Sequence, residues 1–154
     1  MSVSVLFVCL GNICRSPLAE AAFRHEARLT GLDVAIDSAG TGDWHLGQAP
    51  DPRAQAVARK HGLEIGVFRA RQVVREDFSR FTHIIALDAQ NLADLHVLCP
   101  ADATAALSLL LDHVPGRMGQ SVTDPYYGDA RDFDLAWSEV MAGAKGLLET
   151  LTTR

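Results

Sequence analysis

The chain has 154 residues, of which 48% are hydrophobic and 21% are charged, and its formal net charge is −5. This length suits one domain over residues 1–154, and the acidic charge argues against nucleic acid as a partner. The apolar runs are too short to cross a bilayer and the N-terminus lacks the segments of a signal peptide, so no membrane partner is expected. Three cysteines do not make a secreted disulfide framework, which favours a cytoplasmic protein. Six histidines without metal-ligand spacing are expected to be surface or packing residues.

Strands and helices alternate along the first two thirds of the chain. The apolar run Val3–Val8 predicts a buried strand, and the Ala-rich segment Leu18–Leu29 predicts a helix that ends at Gly31. The next predicted elements are a strand, a glycine-rich loop, a helix, a short helical turn, a strand and a helix, at Val34–Ser38, Gly40–Pro50, Pro52–His61, Arg75–Phe78, His83–Leu87 and Asn91–Val97.

The last third completes the same pattern. Ala106–Leu111 fits a fourth strand, although its apolar run fits a helix equally well, and His113–Tyr127 is a long irregular stretch of the kind that carries function. Asp132–Thr150 predicts a final helix. This order predicts an α/β fold with three layers, α/β/α, around a central four-stranded parallel sheet. Ligands bind such sheets beyond the carboxyl ends of the strands, and Cys9, Ser38 and Asp88 are expected to lie at that edge.

The segment between the first strand and the first helix has the features of an anion-binding loop. Gly11 and Asn12 tolerate left-handed backbone angles, Ser16 is predicted to be the helix N-cap, and Pro17 suits the first helical position. The backbone N–H groups of the loop can therefore point at a phosphate or arsenate oxyanion. The residues of this predicted phosphate-binding loop are Leu10, Gly11, Asn12, Ile13, Cys14, Arg15 and Ser16.

Two side chains make this loop a candidate reactive site. Cys9 ends the strand beneath the loop, and Arg15 can return as a planar fork over the same anion. The amides, the helix end and the guanidinium all favour a thiolate at Cys9, and the Ser16 hydroxyl can donate a hydrogen bond to the sulfur. Taken alone, Cys9 fits a buried core cysteine. The pattern Cys-x5-Arg-Ser-Pro between a strand and a helix favours a nucleophile instead.

The segment Val8–Pro17 resembles the signature of the low-molecular-weight protein tyrosine phosphatases. The resemblance continues in the family's order over nearly the whole chain, in Asp37–Thr41, Trp44, Pro50–Arg53, Ala70–Gln72, Asp77–Phe78 and Asp124–Gly128. It implies a phosphatase of that fold that hydrolyses phosphotyrosine monoesters through a phosphocysteine intermediate, without a cofactor or metal. The implied partner is a phosphotyrosine-containing protein or a small aryl phosphate, and we expect a monomer with at most weak self-association.

The resemblance also implies roles for residues distant from the loop. Asp124 stands at the position of the family's general acid, whereas alone it would fit a turn aspartate before a proline. Trp44, Tyr126 and Tyr127 are expected to form pocket walls against the aryl ring of the substrate.

A further set of residues resembles the supports of the loop in this family. Asn12, Ser16 and Ser38 are expected to hold the loop through hydrogen bonds. Many relatives carry histidine where this chain has Phe68, so we expect the bracing of Asn12 to be reorganised. Cys14 matches the family's second loop cysteine, for which loop packing is expected.

Three alternative functions stay open at this point. Arsenate reductases coupled to thioredoxin share the fold and a similar loop, but they need a relay of further cysteines, for which Cys99 is the lone candidate. Protein-arginine phosphatases also resemble the family, usually with threonine in place of Ile13, so Ile13 favours phosphotyrosine. A non-catalytic phosphate-binding module would leave the combination of Cys9 and Asp124 unexplained.

Overall fold

The computed structural model describes residues 2–153 and contains a parallel sheet of four strands. The strands are β1 (Val3–Cys9), β2 (Val34–Gly40), β3 (His83–Ala86) and β4 (Ala106–Leu109). Their order across the sheet is β2-β1-β3-β4, and every neighbouring pair is parallel. Val5 of β1 lies opposite Ile36 of β2 and His83 of β3. The predicted four-stranded parallel α/β fold is confirmed.

Helices connect the strands and cover both faces of the sheet. They are α1 (Arg15–Thr30), α2 (Pro52–Lys60), α3 (Asp77–Arg80), α4 (Ala89–Leu98) and α5 (Ala130–Thr152), with a 3-10 helix at Leu110–His113. Local signals in the sequence set several of their ends. Gly31 adopts a left-handed conformation after α1, and the carboxylates of Asp51, Asp88 and Asp129 cap the first turns of α2, α4 and α5. Within residues 2–153, none of these helices is long and apolar enough to span a membrane.

The alternating side chains of β1 divide the core into two clusters. Val5 and Phe7 point into the larger cluster, with α1, α2 and α5, while Leu6 and Val8 point into the smaller one. Phe78 belongs to that smaller cluster, on the other face of the sheet. Because β1 is buried on both faces, its residues form the continuous apolar run seen in the sequence.

Two boundary predictions are wrong. Strand β4 ends at Leu109, because the N–H of Leu109 donates to the Asp112 carboxylate and closes a 3-10 turn over the rest of the apolar run. Helix α1 begins at Arg15, so Ser16 is not its N-cap; Cys14 occupies that position. The Ser16 hydroxyl is engaged with the sulfur of Cys9 instead.

Candidate active site

A cavity of about 420 Å³ opens beyond the carboxyl end of β1. It contains the three residues predicted to be catalytic, most of the predicted loop and the three predicted aromatic walls. The lining residues are Cys9, Leu10, Gly11, Ile13, Cys14, Arg15, Trp44, His45, Asp124, Tyr126 and Tyr127. His45 was expected to be only a surface or packing residue, and nothing in its spacing distinguished it from the other histidines.

The backbone of β2, together with the two residues that follow it, fixes the start of the loop. The N–H of Thr41 donates to the Cys9 carbonyl, and the N–H of Gly42 donates to the Leu10 carbonyl, both at 2.9 Å. Gly40 lies so close that a Cβ atom there would stand 2.6 Å from the carbonyl oxygen of Leu10. The loop therefore depends on a residue without a side chain at the end of β2.

The side chain of Asn12 braces the middle of the loop. Asn12 has a φ of 58°, in the left-handed region, and its Nδ2 donates to Ser16 Oγ at 2.8 Å and to Ser38 Oγ at 3.0 Å. Its Oδ1 accepts from the backbone N–H of Arg71 at 3.0 Å. The three predicted supporting residues thus lie together. Phe68 packs against the larger core cluster, and the Arg71 backbone contributes the third contact to Asn12.

The bracing continues to a residue that the sequence did not single out. The Ser38 hydroxyl donates to Glu20 Oε1 at 2.7 Å, and Glu20 Oε2 accepts two hydrogen bonds from Arg24. Burial raises the pKa of Glu20, although the bonds from Ser38 and Arg24 oppose the shift. The sequence could have indicated Glu20 only through its position, because it lies one turn after Ser16 on the same face of an Ala-rich helix.

The two loop cysteines are both buried but differ in their surroundings. The sulfur of Cys9 lies 3.0 Å from Ser16 Oγ and accepts the N–H of Asn12 at 3.3 Å. Because Ser16 Oγ already accepts from Asn12 Nδ2, its own proton is free to be donated to the sulfur. For Cys14, burial and then the charge of Asp51 raise the pKa, so this thiol stays protonated.

Arg15 is held from behind by groups on other elements. Its side chain is 3% exposed, and its Nη1 donates to Asp88 Oδ2 at 2.7 Å and to the Val122 carbonyl at 3.0 Å. Burial opposes the charge, but Cys9, Asp88 and Asp124 outweigh it and raise the pKa of Arg15. Asp88 follows β3 at the sheet edge predicted from the sequence, but its contact with Arg15 was not predicted.

Asp124 lies at the mouth of the cavity, on the loop before α5. Its Oδ2 is 3.5 Å from Arg15 Nη2, and its Oδ1 accepts the backbone N–H of Tyr126 at 3.1 Å. The carboxyl group is partly open to solvent. Although more than a hundred residues separate them in sequence, Asp124 and Cys9 line the same cavity.

Aromatic side chains form the rim of the cavity. Tyr126 and Tyr127 meet edge to face with ring centroids 4.9 Å apart, and Tyr127 is 95% exposed. Trp44 is 66% exposed, and its ring lies against Gly42, where a Cβ would stand 1.9 Å from the ring. Large apolar surface at the rim is therefore available to a ligand.

Arg53 anchors the loop that carries the acid and the tyrosines. Its guanidinium donates to the carbonyls of Tyr126 and Gly128 and lies 5.6 Å from the centre of the Tyr126 ring. The Asp51 carboxylate accepts from the same guanidinium at 3.0 Å. Arg53 belonged to a motif that supported the resemblance, but the sequence did not indicate this contact.

Cys99 does not line the cavity. It directly follows Leu98, the last residue of α4, and packs against the smaller core cluster. Its sulfur contacts the Pro100 carbonyl at 3.7 Å.

Known proteins are similar to this chain in both sequence and fold. The model of the low molecular weight phosphotyrosine protein phosphatase family matches residues 4–154. The chain is 38% identical to the low molecular weight phosphotyrosine protein phosphatase of Schizosaccharomyces pombe, over 97% of both chains. Its structure resembles that of YfkJ from Bacillus subtilis, with 40% identity and a TM-score of 0.90 over 98% of this chain and 95% of that one. It also resembles DARP, a drosophila arginine phosphatase, with 30% identity and a TM-score of 0.91 over 97% and 98%. The resemblance predicted from the motifs is confirmed: the chain belongs to the low molecular weight phosphotyrosine protein phosphatase family.

Proposed function

We propose that this protein is a tyrosine phosphatase that hydrolyses phosphotyrosine monoesters through a phosphocysteine intermediate. One observation carries the proposal: Cys9, Arg15 and Asp124 line a single cavity whose rim is aromatic. These residue types supply what cleavage of a phosphate ester requires, namely a nucleophile, stabilisation of anionic oxygens and a proton for the leaving group.

In the first step, the Cys9 thiolate attacks phosphorus in line with the leaving oxygen. The S–P bond forms as the P–O bond to the tyrosine ring breaks, and Asp124 gives its proton to the departing phenolate. Ser16 and the Asn12 amide are placed to stabilise the thiolate. Because Asp88 and Val122 hold Nη1 of Arg15, the other edge of its guanidinium group can bind two equatorial oxygens of the phosphoryl group.

In the second step, water attacks the phosphocysteine. Asp124, now a carboxylate, takes a proton from the water, the S–P bond breaks, and inorganic phosphate leaves while Cys9 returns to a thiolate. The partly exposed position of Asp124 at the cavity mouth allows water to reach it. The same carboxyl group thus serves as acid and then as base.

The walls favour an aryl phosphate. Trp44, Tyr126 and Tyr127 offer aromatic surface at the rim, on which the ring of phosphotyrosine can stack while its phosphate reaches the loop. The likeness to DARP makes a protein-arginine phosphatase the second candidate. Arsenate reduction is disfavoured because Cys99, the lone candidate for a cysteine relay, does not line the cavity that holds Cys9.

We propose that residues 1–154 form a single phosphatase domain, that it acts as a monomer in the cytoplasm, and that its partners are phosphotyrosine-containing proteins or small aryl phosphates. It needs neither a metal nor a cofactor for the two steps above.

A comparison of substrates tests the proposed function. One peptide sequence is prepared with phosphotyrosine, phosphoserine or phosphoarginine, and kcat/KM for phosphate release is measured for each, with arsenate plus thioredoxin assayed alongside. We expect phosphotyrosine to give the highest value. A higher value for phosphoarginine would support the second candidate, and equal values for phosphotyrosine and phosphoserine would contradict the role of the aromatic rim.

A further inference from the structure

A second groove lies directly beside the active-site cavity. Its volume is about 290 Å³, and Leu10 and Trp44 line both it and the active-site cavity. Leu10 and Trp44 therefore form a ridge between the groove and the active-site cavity. The groove is lined by Leu10, Thr41, Gly42, Trp44, Asp94, Val97 and Leu98. None of the steps proposed for catalysis uses it.

The walls of the groove are apolar and exposed. Leu10, Trp44, Val97 and Leu98 are all more than a third exposed, although they are large apolar side chains. Val97 and Leu98 belong to the last turn of α4, so the ridge and this helix end face each other. A contiguous apolar surface next to a binding cavity is typical of a site that contacts a ligand.

Two polar groups give the groove its chemical character. Asp94, on α4, contributes a half-buried carboxylate whose Oδ1 accepts a hydrogen bond from Gln90 at 2.9 Å. The hydroxyl oxygen of Thr41 is buried and has no hydrogen-bond partner among residues 2–153. The groove thus combines apolar walls, a negative charge, an unpaired hydroxyl and the indole of Trp44.

We propose that this groove binds a lysine or arginine side chain of the substrate, at a position close to the phosphotyrosine. Such a side chain buries an aliphatic stem against apolar walls and keeps its charged head for a polar partner. Asp94 would accept a charge-assisted hydrogen bond from that head, and the face of Trp44 attracts a cation. An acidic side chain would be repelled by Asp94, and an aliphatic one would offer a hydrogen bond to neither Asp94 nor Thr41.

The position of the ridge determines which substrate residues reach the groove. This inference rests on the proposed function, because it assumes that a phosphotyrosine side chain occupies the active-site cavity. The peptide must then cross the Leu10–Trp44 ridge. An extended peptide rises about 3.3 Å per residue and alternates its side chains, so the groove lies within about three residues of the phosphotyrosine.

The test uses phosphotyrosine peptides with a neutral host sequence. Lysine, glutamine, leucine or glutamate is placed in turn at each of about three positions on either side of the phosphotyrosine. At one position we expect lysine to lower KM about threefold to tenfold relative to glutamine, with kcat unchanged, from an ion pair and a cation–π contact. Raising the salt concentration should weaken this preference.

Asp94→Asn and a matched control locate the effect. Asp94→Asn keeps the size of the side chain but should remove most of the preference for lysine, while the glutamine peptide is cleaved as by the unchanged enzyme. Asp33→Asn removes an equal charge from an exposed residue just before β2, at the opposite edge of the sheet, and should keep the preference.

Each outcome decides something different. Equal KM values for all four residues at every position would overturn the proposed role of the groove but leave the phosphatase proposal standing. A preference for leucine that is unchanged in Asp94→Asn would indicate an apolar subsite and overturn the proposal that the groove binds a basic side chain. Loss of the lysine preference in Asp33→Asn would mean a general charge effect and overturn the local site. No cleavage of any peptide by the unchanged enzyme would overturn the proposed function and this inference together.

Discussion

Asn12 shapes the phosphate loop through both its backbone and its side chain. Its φ of 58° is one that asparagine tolerates better than most residues, and its side chain makes three hydrogen bonds to Ser16, Ser38 and Arg71. A single residue therefore sets the turn of the loop and ties it to β2 and to the segment that contains Arg71.

Substitution of Asn12 separates these two contributions. Asn12→Gly keeps the backbone angle and loses the three hydrogen bonds, whereas Asn12→Ala loses both. We expect both variants to bind vanadate more weakly, and the alanine variant to unfold with a free energy about 1–2 kcal/mol lower than the glycine variant. Chemical denaturation and vanadate titration measure the two effects. Equal stabilities would mean that the backbone angle carries no strain.

Asp124→Asn distinguishes a general acid from a structural aspartate. The amide keeps the size of the carboxyl group but cannot give an acidic proton to the leaving group. Tyrosine has a pKa of about 10 and needs that proton, whereas nitrophenolate leaves more easily. We expect the variant to cleave phosphotyrosine on the order of 10²–10⁴-fold more slowly, with a smaller loss on nitrophenyl phosphate. Single-turnover kinetics with both esters measure this, and an equal loss on both would assign Asp124 a structural role.

Among the helices, α5 packs so closely against the 3-10 helix at Leu110–His113 that one of its positions has no room for a side chain. Gly146 lies on α5 where a Cβ would stand 2.1 Å from the carbonyl oxygen of His113. Alanine is normally better than glycine in a helix, by about 0.5–1 kcal/mol. Here the backbone contact should outweigh that preference.

Gly146→Ala should therefore destabilise the protein in spite of its better helix propensity. We expect the free energy of unfolding to fall by about 1–3 kcal/mol, because the helix must move away from the backbone of His113. Ala142→Gly, at an exposed position of the same helix, is the control and should cost only about 0.5–1 kcal/mol. Urea denaturation measures both. A Gly146→Ala variant as stable as the unchanged protein would show that α5 moves freely there.

The elements also show where sequence patterns are sufficient. Helix α1 and strand β1 follow from an apolar run, an Ala-rich segment and Gly31, all local signals. The run Ala106–Leu111 was ambiguous because its break after Leu109 depends on the Asp112 carboxylate. The start of α1 was misplaced because the Ser16 hydroxyl bonds Cys9 rather than the helix N-terminus, and such competition is invisible in the sequence.

At the scale of the whole molecule, the supports of the site come from distant elements. The loop with Cys9 and Arg15 was readable because its chemistry is local in sequence. Asp88, Glu20 and Arg53 contact the site only through the arrangement of the strands and helices. Each is a charged residue whose sequence neighbours give no sign of its partner.

His113 makes the stability of the whole molecule depend on pH. Burial lowers the pKa of His113, with His83 adding to the shift and Asp112 opposing it. The folded state therefore takes up the proton less readily than the unfolded state, in which histidine has a pKa of about 6.5. The stability that neutral His113 contributes is present above that pH and is lost as the pH falls through it.

His113→Gln should reduce this pH dependence. We expect the free energy of unfolding to fall less for the variant than for the unchanged protein between pH 7 and about 5.5. His96→Gln replaces an exposed histidine on α4 and serves as the control. Denaturation curves across this range measure the effect. Parallel pH profiles for the His113 variant and the unchanged protein would contradict it.

In the proposed mechanism Cys9 carries the phosphoryl group during turnover, and trapping that intermediate is the most direct test. The enzyme is mixed with a phosphotyrosine peptide, quenched at short times, and digested for mass spectrometry. We expect phosphate on Cys9 that appears with the release of dephosphorylated peptide and then decays to free phosphate. We also expect Cys9→Ser to bind vanadate without turnover, because Arg15 and the loop remain. Release of phosphate with no modification of Cys9 at any time, or substantial activity in Cys9→Ser, would contradict the phosphocysteine mechanism.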